Sequence, residues 1–212
     1  MTRIATALAA TFFLSVGASQ AQAVVAFTFT GKVTSVTSAL SSGFTVNQAI
    51  SGYISYDDKA GAGSSSSTDA YYYNSFTGYI KFGNKFYTYT PTTVMFVSNN
   101  NSYNQDQASF YSSTSGGSSV GGLAPGYLTV DLYDSSRAAV SSTAPATVAQ
   151  LKSFPSKYVA LYFGGNFDNS VQGTISSITA LPEPASWVGM TMGFGLLGIA
   201  MRRRGQATLP FA

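Results

Sequence analysis

The chain has no cysteine and no histidine among its 212 residues. The first absence excludes both a disulfide framework and a thiol nucleophile. The second removes the side chain most often used as a general base and as a metal ligand. Charge is scarce as well, with Asp, Glu, Lys and Arg making up only 9% of the sequence. Between residues 24 and 180 there is no glutamate, and the acidic residues are seven aspartates. The formal net charge of +3 arises at the two ends, from Arg3, Arg202, Arg203 and Arg204 set against Glu183. The region between is neutral, with seven basic and seven acidic side chains. A nucleic-acid surface needs Lys and Arg clustered on the folded domain, so nucleic acid is excluded as a partner.

What is present is clearest at the ends. Arg3 precedes an apolar run from Ile4 to Val16, followed by Ala21-Gln22-Ala23. A positive start, an apolar stretch and a small-x-small site define a secretory signal peptide over residues 1–23. Cleavage is expected after Ala23, with Ala21 and Ala23 as the recognised small residues and the Sec export machinery as the partner. Near the other end, Ala185 to Met201 is a stretch of 17 residues without charge. As a helix it would reach about 25 Å, enough for a short transmembrane span. Arg202, Arg203 and Arg204 come immediately after it, and arginines flanking a span stay cytoplasmic. The expected topology places residues 24–180 outside and a tail, 205–212, inside. Just before the span stands Pro182-Glu183-Pro184. Its prolines force an extended backbone that a processing enzyme can reach at the membrane surface.

This arrangement resembles a known family. Pro182-Glu183-Pro184, then Ala185-Ser186-Trp187, then Gly193-Phe194-Gly195-Leu196-Leu197-Gly198, and finally the three arginines, is similar to the PEP-CTERM sorting signal of Gram-negative bacteria. The resemblance spans residues 182–204. It implies recognition by an exosortase, a membrane-embedded processing enzyme. It further implies a membrane-held intermediate and release to the cell surface or extracellular matrix, often in organisms that make exopolysaccharide. Pro182, Glu183, Pro184, Trp187 and Arg202–Arg204 are the residues it assigns to sorting.

The middle region is rich in Ser, Thr, Gly, Asn and Tyr and holds all fourteen tyrosines. Apolar residues alternate with polar ones at Phe27, Phe29, Gly31 and Val33, and again at Leu128, Val130 and Leu132. Phe44, Val46, Ile50, Ile54 and Tyr56 read as one long run of strand interrupted at Gly52. Residues 79–82 and 85–89 flank Gly83-Asn84 as a hairpin with a two-residue turn. Further strands are expected at 93–98, 109–112, 158–163 and 171–179, and a helical turn at 146–154. Glycine- and serine-rich stretches at 61–67 and 112–122 read as loops. The pattern predicts an all-β domain over 24–180, an antiparallel β-sandwich of jelly-roll type, with one transmembrane helix at 185–201. Phe29 to Thr34 and Val171 to Ile178 also resemble the terminal strands of PEP-CTERM passenger domains.

Catalytic chemistry has few carriers here. An activated Ser or Thr needs a base, and the six lysines stand in no recognisable motif. A glycosidase needs two carboxylates across a cleft, for which Asp57-Asp58 and Asp131 with Asp134 are the candidates. No cofactor is expected. A structural calcium ion would have to draw on the aspartates and on Asn99-Asn100-Asn101. Tyr71 and Tyr73 of the triple Tyr71-Tyr72-Tyr73 are the candidate ligand surface, since rings on an exposed sheet face stack on sugars; the alternative has Tyr72 in the core and its neighbours as ordinary outward strand residues. Three readings are open: a non-enzymatic surface or matrix protein associated with exopolysaccharide and biofilm, a carbohydrate-binding module, and an aspartate-dependent glycoside hydrolase.

Overall fold

The computed structural model describes residues 24–165 and 167–182. In chain order the strands are β1 (Val24–Val36), β2 (Ala49–Asp57), β3 (Ser64–Ser65), β4 (Asp69–Tyr73), β5 (Phe76–Phe82) and β6 (Lys85–Thr88). They continue with β7 (Val94–Ser98), β8 (Asp106–Ser113), β9 (Pro125–Asp134), β10 (Ser156–Phe163) and β11 (Asn169–Ala180), with one short helix, α1 (Val148–Ser153), before β10. All are antiparallel members of one sheet, in the order β3-β4-β7-β8-β9-β10-β11-β1-β2-β5-β6.

The expected sandwich of two sheets is therefore replaced by a single sheet curled into a half-barrel. Alternation gives each strand one buried face. It does not say whether a second sheet or the far half of the same sheet covers that face. Here it is the far half. Phe110 of β8 meets Phe27 of β1, Tyr56 of β2 and Phe76 of β5 at ring-centroid distances of 5.8, 5.5 and 5.4 Å. Yet β9, β10 and β11 lie between β8 and β1 in the sheet. Each such ring, fully buried, stabilises the fold by about 1.5–3 kcal/mol. Past β6 the curl closes on itself, as Ser115 N–H donates to the Thr88 carbonyl at 2.9 Å and Thr90 N–H to the Ser113 carbonyl at 2.9 Å. The curl also needs close approach inside. Gly52 lies opposite Phe29, and a Cβ there would fall 2.2 Å from the phenyl ring.

The mouth of the curl is covered by the segment from Ser135 through α1. Thr147 and Gln150 form a capping box at the start of α1, which supplies two of the unpaired donors of its first turn with acceptors. Leu151 and Phe154 are fully buried beneath it. The Tyr72 hydroxyl donates to the Thr143 carbonyl at 2.7 Å, and the Tyr56 hydroxyl donates to the Ala146 carbonyl.

The long strand read across 44–56 is a second correction. The strand β2 begins only at Ala49, because Asn47 turns the chain with a φ of 69°. Asn47 N–H and the Gln48 carbonyl instead bond to Val33. Phe44 still reaches the core, whereas Val46 is turned out to 54% exposure. The Gly83-Asn84 turn is as read, between β5 and β6, with Gly83 at a φ of 59°. Among the described residues no helix is long and apolar enough to cross a membrane. The segment 185–201, for which a spanning helix is expected, lies outside the described residues.

Candidate functional site

Two regions can carry function. The first is the exit of the chain from the sheet. The strand β11 is bonded on one side to β10 and on the other to β1, with Ala180 opposite Phe27. Leu181 N–H donates to the Ala26 carbonyl at 2.9 Å. Pro182, which has no N–H to give, comes next in an exposed position and is the last described residue. The predicted sorting residues therefore begin where the ladder ends. Ala21, Ala23, Glu183, Pro184, Trp187 and Arg202–Arg204 lie outside the described residues.

The second region is the convex face of the sheet. Strand parity turns Tyr72 into the core, at 4% exposure, and turns Tyr71 and Tyr73 outward. Tyr71 packs on Phe96 of β7 at 4.8 Å between ring centroids. The same parity on the next strands points Tyr111, Tyr127 and Tyr162 outward. Tyr111 lies 6.0 Å from Tyr127, and Tyr127 lies 6.4 Å from Tyr162. Phe167, in the turn after β10, meets Tyr162 at 4.9 Å and Tyr127 at 5.9 Å, both edge to face. The result is an aromatic band across five adjacent strands, roughly 19 Å wide at ordinary strand spacing. Below it Tyr133 and Tyr158 form a further pair at 6.3 Å. A separate ladder of Tyr53, Tyr79 and Phe86 occupies the other half of the face. Between them β1 and β11 show hydroxyls, with Thr30 and Ser177 in contact at 2.7 Å.

Asp131 of β9 sits within the band, beside Ser109 and Tyr158 across the strands. Burial raises its carboxyl above the usual range, and the Ser109 hydroxyl draws it partly back. Burial, reinforced by Asp131, pushes the Tyr133 hydroxyl up to about 12. Burial and then Asp131 raise Tyr162 as well. These tyrosines therefore remain protonated hydrogen-bond donors at physiological pH.

The remaining candidate aspartates are held in local hydrogen bonds, and Asp106 and Asp134 are cross-strand partners. Asp131 and Asp134, three apart on one strand, face opposite sides of the sheet, so the two cannot flank one glycosidic bond. Asp134 accepts from the Ser136 N–H and hydroxyl and from Ala138 N–H. Asp57 accepts from Lys59 N–H at 2.9 Å in a turn. Asp69 accepts from the Thr68 hydroxyl at 2.9 Å. Asp106 is fully buried and accepts from the N–H groups of Asn100, Ala139 and Val140, each at 3.0 Å. Among the described residues no three such side chains gather as a metal ion would require.

Reading the sequence alone finds Tyr71 and Tyr73 but misses Tyr111, Tyr127, Tyr162 and Phe167. The signal for the first three lay in their parity, since Tyr127 precedes the inward run Leu128, Val130, Leu132 in the alternating pattern. Their adjacency depends on strand order.

In comparison with known proteins, residues 180–204 match the PEP-CTERM protein-sorting motif. The motif implies export, sorting to the cell surface and processing by an exosortase. No curated protein and no solved structure matches the chain.

Proposed function

We propose that this chain is a non-enzymatic surface or matrix protein of a Gram-negative envelope. It crosses the inner membrane through the Sec machinery and is held there by its C-terminal segment. An exosortase then processes it near Pro182, and it joins the exopolysaccharide matrix of a biofilm. The observation that carries this reading is the sorting motif that begins on the last residue of β11. The sheet ends at Ala180 and its last backbone bond comes from Leu181, so the ladder stops one residue before Pro182. A binding role is further supported by the absence of histidine and cysteine and by the opposed faces of Asp131 and Asp134. Fractionation of cells expressing the wild type and a 182–204 deletion tests the route. The wild type should appear in the surface or matrix fraction, and the deletion should be lost from it. Wild-type protein in the cytoplasm would overturn the proposal.

A second reading is favoured by the aromatic band: a carbohydrate-binding module that holds exopolysaccharide. Rings presented on a rigid sheet give large contact area at little entropic cost.

A further inference from the structure

We infer that the cleft between Tyr162 and Phe167 is the principal subsite for a neutral glycan, whose chain then runs along the aromatic band toward Tyr73. The inference rests on the carbohydrate-binding reading and gives it a place and a chemical class.

The cleft exists because of a bulge. Tyr162 pairs with Tyr127 while the next residue, Phe163, pairs with Pro125, so Gly126 is the extra residue on β9. A glycine in that position leaves a floor without a side chain. The cleft above it measures about 220 Å³ and is lined by Ser113, Gly126, Tyr127, Tyr162, Gly165 and Phe167. Gly164 and Gly165, at φ of 76° and 75°, turn the chain back beside it, a conformation that other residues rarely adopt. Phe167 beyond them is 70% exposed, although its ring touches two tyrosines. Because it meets both nearly at right angles (85° and 81°), a flat ring can lie against one wall while its rim meets the other.

The chemistry of the lining selects the ligand. Its polar atoms are hydroxyls of Ser113, Tyr127 and Tyr162 and the backbone of two glycines, all uncharged. The C–H face of a sugar ring stacks on such aromatics, and its hydroxyls meet the polar rim. On the outward positions of β4, β7, β8, β9 and β10 the only ionisable groups besides tyrosine are Asp69 and Asp131, with no Lys or Arg. A surface of that sign disfavours anionic polymers, and the uncharged lining of the cleft itself fits a neutral glycan.

The test is affinity electrophoresis of the full chain through gels containing hydroxyethylcellulose, dextran or galactomannan, with alginate as the anionic comparison. The wild type should be retarded in at least one neutral gel and not in alginate. Tyr162→Ala and Phe167→Ala should each weaken retention roughly tenfold. Gly126→Val should do the same by filling the floor. A Cβ at Gly126 meets nothing closer than 3.6 Å, so the fold should accept it. Tyr53→Ala, on the separate ladder, should leave retention unchanged, and thermal melts of every variant show whether each is folded. If the wild type is retained, Phe167→Ala and Gly126→Val match it, and only Tyr71→Ala or Tyr73→Ala lose retention, the cleft is wrong and the carbohydrate reading stands. If neither a neutral gel nor alginate retards the wild type, both fall. Retention in alginate alone overturns the assignment to a neutral ligand.

Discussion

At the scale of the residue, Asp131 is the side chain whose surroundings cost the fold most visibly. It is held among tyrosines on β9, and burial lifts its carboxyl above the ordinary value. A carboxyl raised in the native state binds more protons folded than unfolded. The native state is therefore unpenalised below pH about 4, where the unfolded carboxyl is protonated too. The penalty enters as pH rises through the unfolded and then the native value. Asp131→Asn removes the ionisable group and should be more resistant to urea than the wild type at pH 7, with the gain disappearing below pH about 4. Equal differences at both pH values would show that desolvation of the charge is not the cause. Residue-scale features of this kind are half legible in the sequence. That Asp131 and Tyr133 face away from Leu132 is a consequence of alternation. That Asp131 is crowded by Ser109 and Tyr158 is not, because those residues come from neighbouring strands.

At the scale of the element, β8 and β9 end in a paired knot. Asp106 and Asp134 are cross-strand partners, and both are buried. Asp106 gathers backbone N–H groups from the loop before β8 and from the segment after β9. That segment leads to Thr143 and Ala146, which receive the hydroxyls of Tyr72 and Tyr56. A buried carboxylate holding three N–H groups can thus fasten the cover over the mouth of the curl. Asp106→Ala strands those donors and should cost about 3 kcal/mol, roughly 10 °C in Tm. Limited proteolysis should then cut first between residues 135 and 147. A variant with unchanged Tm and the wild-type digestion pattern would refute this role. In the sequence these aspartates read as calcium or catalytic candidates, since a carboxylate is ligand, catalyst or cap according to which groups face it. Element boundaries show the same limit. The apolar spacing from Phe44 to Tyr56 reads as one strand, and the reversal at Asn47 becomes visible only through its bonds to Val33.

At the scale of the whole molecule, the first and last strands meet in the interior of the sheet. The strands β1 and β11 are neighbours, and five strands precede β10 in the sheet order on one side while three lie beyond β1 on the other. Antiparallel pairing brings Val24–Phe27 beside Ala180–Leu181. The start of β1 and the end of β11 therefore lie at the same end of the sheet. Folding needs β11, whose ladder with β1 runs to the bond from Leu181 to Ala26. A chain stopped after Asp168 should fail to fold, judged by loss of the β signal in circular dichroism. A chain stopped after Leu181 should match the longer one in stability to within about 1 kcal/mol, the uncertainty typical of extrapolated values. A folded 24–168 fragment would contradict the central role of β11.

The sequence by itself determined the sorting motif, the all-β character and the face on which most strand residues lie, because each depends on neighbours within a few positions along the chain. Tertiary structure decided that the strands form one curled sheet, that Asp131 and Asp134 stand apart, and that Tyr71, Tyr111, Tyr127, Tyr162 and Phe167 share one surface. Those outcomes depend on strand order, which places β7 beside β4 and β11 beside β1. Strand order is set by how the buried faces pack together, and a pattern of period two leaves it open.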